Sequence, residues 1–298
     1  MRLAFAIAAG FAAVVACQGA VSPTPETPPN FKALDWISEA TDPVAHLASQ
    51  PATCLTSPED PAVQRGELLF NSPLLLGGQA AKAGLSCASC HRNGRGNPNF
   101  VFAGISGAPG TADVTSGLFS KVRADQVFNP VPIPDLATPE GRRIVNRDAK
   151  GALEAFLSAQ ITEEFAGAAP AEPIIEDLAA YIRSLDAAAC DAAAEQVQTW
   201  RDEMKHLRAG EVHLGADPVS DTTAYRLAMR AALGRLYERY PASRFEELSQ
   251  ELMSLGRDLG QEDAFIALGT RLDAIERSLR SGEAQSFYDR EQLTRSLP

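Results

Sequence analysis

The sequence predicts an all-α protein in which a loop-rich helical domain precedes a helical bundle. Three observations carry that expectation. Apolar residues recur every three to four positions over 149–165 and 173–185, as in Ile174, Leu178, Ile182 and Leu185, which is the period of one helix face. Beyond residue 190, Gly and Pro thin out and Arg, Glu, Leu and Ala dominate. Between these helical stretches, 92–140 is rich in Gly, Pro and Asn with few helical periods, as expected of a chain that wraps something large.

Each element follows in order. Residues 1–16 (MRLAFAIAAGFAAVVA) hold one Arg and then an unbroken apolar run. The run is too short to span a bilayer and has the anatomy of an export signal. Val14, Val15 and Ala16 before Cys17 form a lipobox-like end, so Cys17 is the expected lipidated residue, and the lipid supplies membrane attachment. An ordinary signal peptide is the alternative. Gln18 after the Cys points to the outer membrane, with the folded part facing the periplasm of a bacterial envelope. Residues 17–30, with SPTPETPP at 22–29, read as a stiff extended tether.

Residues 31–60 form a helical lead-in, one or two helices interrupted at Pro43, with Trp36 and Ile37 as core contacts. The main domain is expected over 61–190. It opens with a helix over 61–76 and contains the chemical motif at 87–91. Residues 191–298 read as an α-helical domain, with helices near 191–209, 219–240, 242–258, 262–280 and 284–295. Val197, Trp200, Met204 and Leu207, and then Leu268, Leu272, Ile275 and Leu279, form its apolar stripes.

Composition narrows the function. The chain has 298 residues, 45% of them apolar, which is enough for a sizeable core. Its formal net charge of −11 argues against nucleic-acid binding, which needs a basic footprint, and favours a partner with a basic face. Five cysteines are too few for a disulfide scaffold.

Cys87, Ala88, Ser89, Cys90 and His91 spell CxxCH, the attachment signature of c-type haem. On one helical turn the two thiols and the imidazole lie at i, i+3 and i+4 and face one side. The thiols add across the two vinyl groups of haem, and the imidazole reaches the iron as proximal ligand. One covalent haem c is therefore expected on Cys87 and Cys90, with His91 on the iron. A redox CxxC pair would follow a thioredoxin-like strand pattern, which is absent, and a zinc site would need further ligands nearby. The cysteines left over are Cys54 and Cys190, which flank the domain. In an oxidising compartment they are expected to form a disulfide, two free thiols being the alternative.

The distal side of the haem is open in the sequence. Between His91 and Cys190 there is neither His nor Met. Candidates from elsewhere are His46, Met204, His206 and His213, with Lys121, Lys150 and Tyr181 as weaker options; Arg142, Arg143 and Arg147 could pair with haem propionates.

The region from about 64 to 185 resembles the N-terminal domain of the bacterial di-haem cytochrome c peroxidase and MauG family. The resemblance rests on Arg65, Gly66, Glu67, Leu68, Leu69 and Phe70, then Ser72, Pro73 and Leu74, then the motif at 85–91. It also rests on 147–154 (RDAKGALE) and on Ile161, Thr162, Glu163, Glu164 and Phe165. It implies a cytochrome c-like haem domain and a distal acid/base at Glu164, with Glu163 as the register alternative. Phe156 stands where the family has a helper Gln, and the family's mobile His has no counterpart. The family's second CxxCH domain is missing too, because residues 191–298 contain no Cys.

Two functions are expected from this. The first is a lipid-anchored mono-haem cytochrome that carries electrons to or from a redox partner protein. The second is a peroxidase-like enzyme with an open distal site, reduced by an external donor.

Overall fold

The computed structural model describes residues 29–191, 194–216, 222–261 and 267–297. Residues 1–28, including Cys17, lie outside the described residues. The described residues include twelve α-helices and four short strands, and none of these helices is long and apolar enough to cross a membrane.

The lead-in holds a 3-10 turn, Lys32–Leu34, and then α1 (Pro43–Ala48). Pro43 opens this helix and does not interrupt one. Asp42 accepts from Val44 N and Ala45 N at 2.9 and 3.2 Å, and a proline in the first helical turn has no needed N–H to lose. Trp36 and Ile37 are half-buried, and Trp36 packs on the core as expected, stacked on Phe102 with ring centroids 4.8 Å apart. Phe31 and Leu47 of the same segment are fully buried and pack on Phe287 and Leu293.

Strand β1 (Ser49–Pro51) precedes α2 (Pro61–Phe70), which Asp60 caps through Ala62 N at 2.8 Å. Helix α2 stops at Phe70, short of the expected 76, because Asn71, Ser72 and Pro73 turn the chain into a 3-10 turn, Pro73–Leu75. Next come α3 (Gly78–Ala83), α4 (Cys87–Cys90), the antiparallel pair β2 (Thr111–Ala112) and β3 (Val131–Pro132), and α5 (Pro139–Arg142). Helix α6 (Ala152–Ala159) widens into a π turn, Gln160–Glu164, and α7 (Glu172–Ser184) follows.

Residues expected to begin the bundle as a helix at 191 instead include β4 (Glu195–Val197), antiparallel to β1. Val197 consequently leaves the predicted stripe and is 69% exposed, whereas Trp200, Met204 and Leu207 are buried. The bundle is α8 (Trp200–Ala216), α9 (Thr223–Arg239), α10 (Glu246–Asp258), α11 (Leu268–Gly282) and α12 (Arg290–Ser296). Helix α8 runs past the expected end at 209. Gly210 lets it approach α9, since a Cβ there would meet Met229 Sδ at 2.4 Å.

One contiguous apolar core runs from Val63 to Leu279 through both expected parts. Its tightest crossing is α2 on α7 at Gly66, where a Cβ would stand 2.0 Å from Asp177 O and 2.7 Å from Tyr181 Cβ. Polar ties repeat the contact between the parts. Lys205 Nζ reaches Glu67 at 2.6 Å, and Arg235 bridges Glu203 and Asn71 O at 2.8 and 3.1 Å. The Cys54–Cys190 disulfide forms as expected, with its Cα atoms 5.2 Å apart.

Candidate functional site

The attachment turn is built by local sequence. Gly84, at φ +80°, ends α3 in the left-handed conformation that favours glycine. Ser86 N then donates to Ser89 Oγ at 3.0 Å, and His91 N donates to Cys87 O at 2.9 Å. Helix α4 is thus one closed turn that carries Cys87, Cys90 and His91 on one side. The exit is equally tight. Asn93 and Gly94 take φ of 51° and 72°, and a Cβ on Gly94 would lie 2.5 Å from Leu185 side-chain carbons. Asn97 Nδ2 returns to Ser89 O at 2.8 Å.

His91 Nδ1 lies 3.0 Å from Pro134 O. A carbonyl only accepts, so Nδ1 carries the proton and Nε2 keeps a free lone pair. Burial lowers the imidazole to about 4, against the Pro134 hydrogen bond, so the ring is neutral at pH 7. The thiols are the free cysteines of the described residues. Burial pushes Cys87 up to about 12 and Cys90 higher still, with further upward pressure from Glu164. Both are therefore S–H groups, partly buried against the apolar core to which Phe102, Ile133, Leu136 and Phe165 also belong.

This donor set fits covalent haem. It offers two thiols three residues apart and one neutral imidazole with a fixed tautomer. No group of three or more His, Cys, Asp and Glu converges as a metal site among the described residues. The loop from 114 to 128 also leaves Val114, Val122, Val127 and Phe128 exposed. That is apolar surface along the stretch expected to wrap a large apolar group.

Glu164 is 5% exposed at the end of the π turn. Arg123 Nη1 pairs with its Oε2 at 3.0 Å, and Arg123 Nη2 reaches Glu163 Oε2 at 3.4 Å. The Gln160 amide nitrogen donates to Glu164 Oε2, and its oxygen accepts from Arg123 at 3.2 Å, which sets the orientation of the amide. Ser120 Oγ donates to Glu163 O and accepts from Arg123 N at 2.8 Å, which fixes the loop that carries Arg123. Burial raises the Glu164 carboxyl to about 7, with Arg123 opposing it. Glu163 has half its side chain in solvent, so Glu164 is the carboxylate that faces the protein interior.

The other candidates divide by location. His46 lines a cleft behind α4 together with Ala88 and Ser89, the face opposite the thiols. Its Nδ1 accepts from Arg92 at 3.2 Å. Met204 is buried in the bundle core. His206 sits between Glu203 (3.3 Å) and Glu67 (3.9 Å). His213 packs on Tyr225 with ring centroids 3.9 Å apart. Lys121 and Lys150 are exposed. Tyr181 is fully buried beside Phe70, and its hydroxyl has no partner among the described residues.

The arginines expected at propionates do structural work. Arg147 donates to Ile182 O and Leu136 O at 2.6 and 2.7 Å, Arg142 binds Leu185 O, and Arg143 pairs with Glu140 on the surface. Gln160, Arg123, Pro134, Arg95 and Asp135 escaped the sequence reading. For Gln160 the i, i+4 spacing to Glu164 was the available signal. The proline-rich run that holds Pro134 gave no hint of which carbonyl turns inward.

No protein-family model, curated protein or solved structure matches this chain.

Proposed function

We propose that the protein is a mono-haem c-type redox protein of the bacterial cell envelope, held by lipid on Cys17, that carries electrons to or from a partner protein. The observation that carries this reading is the single closed turn with Cys87, Cys90 and His91 on one side and the His91 proton committed to Pro134 O at 3.0 Å. When bound there, haem supplies a one-electron centre. The chain's part is to hold the group by two thioethers and to orient the imidazole through Pro134 O. The acidic charge favours a partner with a basic docking face. The test is a pyridine haemochrome spectrum of protein expressed with a haem-attachment system. A c-type spectrum with one haem per chain, lost in Cys87→Ser/Cys90→Ser, supports the reading, and a chain that takes up no covalent haem sinks it.

A second reading is favoured by one observation, the buried group of Glu164, Gln160 and Arg123. A carboxyl near 7 can both give and take a proton at neutral pH, and a guanidinium beside it favours developing negative charge. On this reading the protein is peroxidase-like, with Glu164 moving the proton between the two oxygens of peroxide and an external donor supplying electrons. A high-spin ferric spectrum, cyanide binding and peroxide turnover lost in Glu164→Gln are its signature.

A further inference from the structure

We propose that Arg95 and Asp135 are positioning residues for His91, and that the Cys54–Cys190 disulfide acts on this ligand through them. The proposal rests on the covalent-haem reading.

The path consists of direct contacts. Pro134 O holds His91 Nδ1 at 3.0 Å. The next residue, Asp135, is gripped by Arg95, whose Nε lies 2.9 Å from Oδ1 and 2.7 Å from Oδ2, with Nη2 2.7 Å from Oδ2. Asp135 Oδ1 also accepts from Ala137 N at 2.9 Å, so one carboxylate fixes the turn that presents the Pro134 carbonyl. The remaining terminal nitrogen of Arg95, Nη1, lies 3.3 Å from Cys54 Sγ, and Cys54 is bonded to Cys190. Arg95 is 7% exposed and Cys54 0%, so neither can trade these contacts for water without moving. Backbone bonds brace the same segment on both sides. Leu136 N donates to Gly94 O beside the attachment turn, and Ala187 N donates to Ala137 O beside the disulfide, at 3.1 and 2.9 Å.

Reduction changes one end of this path. A dithiol reductant attacks the half-buried Cys190 sulfur, the S–S bond breaks, and Cys54 and Cys190 each end as S–H. The dithiol closes to its own disulfide, having given two electrons and two protons. The Cys54 sulfur is then no longer tied to Cys190, its new S–H has an acceptor in Ala52 O 3.6 Å away, and the 3.3 Å contact from Arg95 Nη1 is no longer held in place. The fork on Asp135 loosens, and the Pro134 carbonyl accepts the His91 proton less well. An imidazole with a weaker Nδ1–H acceptor donates less through Nε2. The ferric state loses stabilisation and the midpoint potential rises. By linkage, the iron's oxidation state shifts the disulfide's own equilibrium reciprocally.

The experiment is a potentiometric titration of the holoprotein with the disulfide intact, and again after anaerobic reduction and removal of the dithiol. It is repeated in Arg95→Gln and Arg95→Lys. Reduction is expected to raise the midpoint potential of the wild type. Arg95→Gln raises it with the disulfide intact and abolishes the further shift on reduction, while Arg95→Lys restores part of the wild-type value. A purely structural role for Arg95 would lower stability and leave the potential in place. Intact covalent haem with an unchanged potential in the reduced and Arg95→Gln forms overturns the coupling alone. Shifts that add independently in the reduced Arg95→Gln protein also overturn it, because the disulfide then acts by another route. Absence of thioether-bound haem overturns the haem reading and this proposal together.

Discussion

Tyr225 donates its hydroxyl to Asp177 Oδ2 at 2.7 Å, joining α9 of the bundle to α7 of the loop-rich part. Arg65 on α2 closes the same carboxylate from the other side, at 2.6 and 2.7 Å. Burial and the Asp177 charge hold the Tyr225 hydroxyl well above its ordinary range, so it stays a donor. A hydrogen bond to a buried charged group is worth about 1.5–3 kcal/mol, and Tyr225→Phe should lower unfolding stability by that amount. Asp177→Ala should cost more, about 3–5 kcal/mol, because it strips a partly buried guanidinium of its partner. Urea unfolding monitored by circular dichroism checks both. A Tyr225→Phe midpoint equal to wild type would show that the bridge contributes nothing to holding the two parts together.

Two glycines in helices should respond oppositely to alanine. At Gly66 the new Cβ meets Asp177 O at 2.0 Å and Tyr181 Cβ at 2.7 Å. Backbone cannot rotate away, so α2 and α7 must separate, at a cost of about 1–3 kcal/mol or more. At Gly234, inside α9, the same methyl meets nothing within 4 Å. There alanine restores helix propensity and should stabilise by roughly 0.5–1 kcal/mol. Thermal unfolding of both variants in parallel is the measurement. Equal shifts of the same sign would contradict the crossing geometry.

Why some of this was legible follows from particular residues. Ile174, Leu178 and Ile182 announced α7 because one buried helix face repeats locally, and the buried Leu185 follows as its extended C-cap. Leu268 to Leu279 announced α11 for the same reason. Cys54 and Cys190 could be paired because the other cysteines had claims on them. Val197 misled because three residues of a stripe continue into α8, while pairing with β1 across 144 to 148 positions of chain decides the conformation of 195–197. The site divides likewise. The attachment turn is local and was readable, whereas the Pro134 contact to His91 spans 43 positions and Arg123 to Glu164 spans 41. A π turn that swings Glu164 inward and Glu163 outward depends on one extra residue per turn, which periodicity cannot resolve.

Glu164 gives a pH dependence whose sign is fixed by its burial. Its carboxyl is raised to about 7 from an ordinary 4.5, so the folded state binds this proton more tightly than the unfolded chain. The resulting stability is fully present below about 4.5 and is lost as pH rises through about 7. A shift of this size corresponds to on the order of 3 kcal/mol. Glu164→Gln, which keeps shape and hydrogen bonding but cannot ionise, should remove the decline between those pH values. Stability measured in urea at several pH values from 4.5 to 7.5 tests this. A variant whose stability falls as steeply as wild type over that window would place the titration elsewhere.

His46 carries the opposite sign. Burial, and then the charges of Arg92 and Arg239, lower it to about 3 from 6.5. Its Nδ1 accepts from Arg92 Nη1 at 3.2 Å, and Arg92 Nη2 also donates to His46 O and Ser49 O at 2.9 and 3.0 Å. A proton on Nδ1 would therefore meet a guanidinium, in a site with 6% of the residue exposed. Neutral His46 contributes stability above about 6.5, and that contribution is lost as pH falls through about 3. His46→Asn keeps an acceptor near the Nδ1 position and cannot charge. It should cost about 1–2 kcal/mol at neutral pH through lost packing, yet lose less stability than wild type between pH 6.5 and 3. Acid unfolding curves of the two proteins should converge on acidification, and curves that stay parallel would mean that His46 is solvated enough to protonate in the folded state.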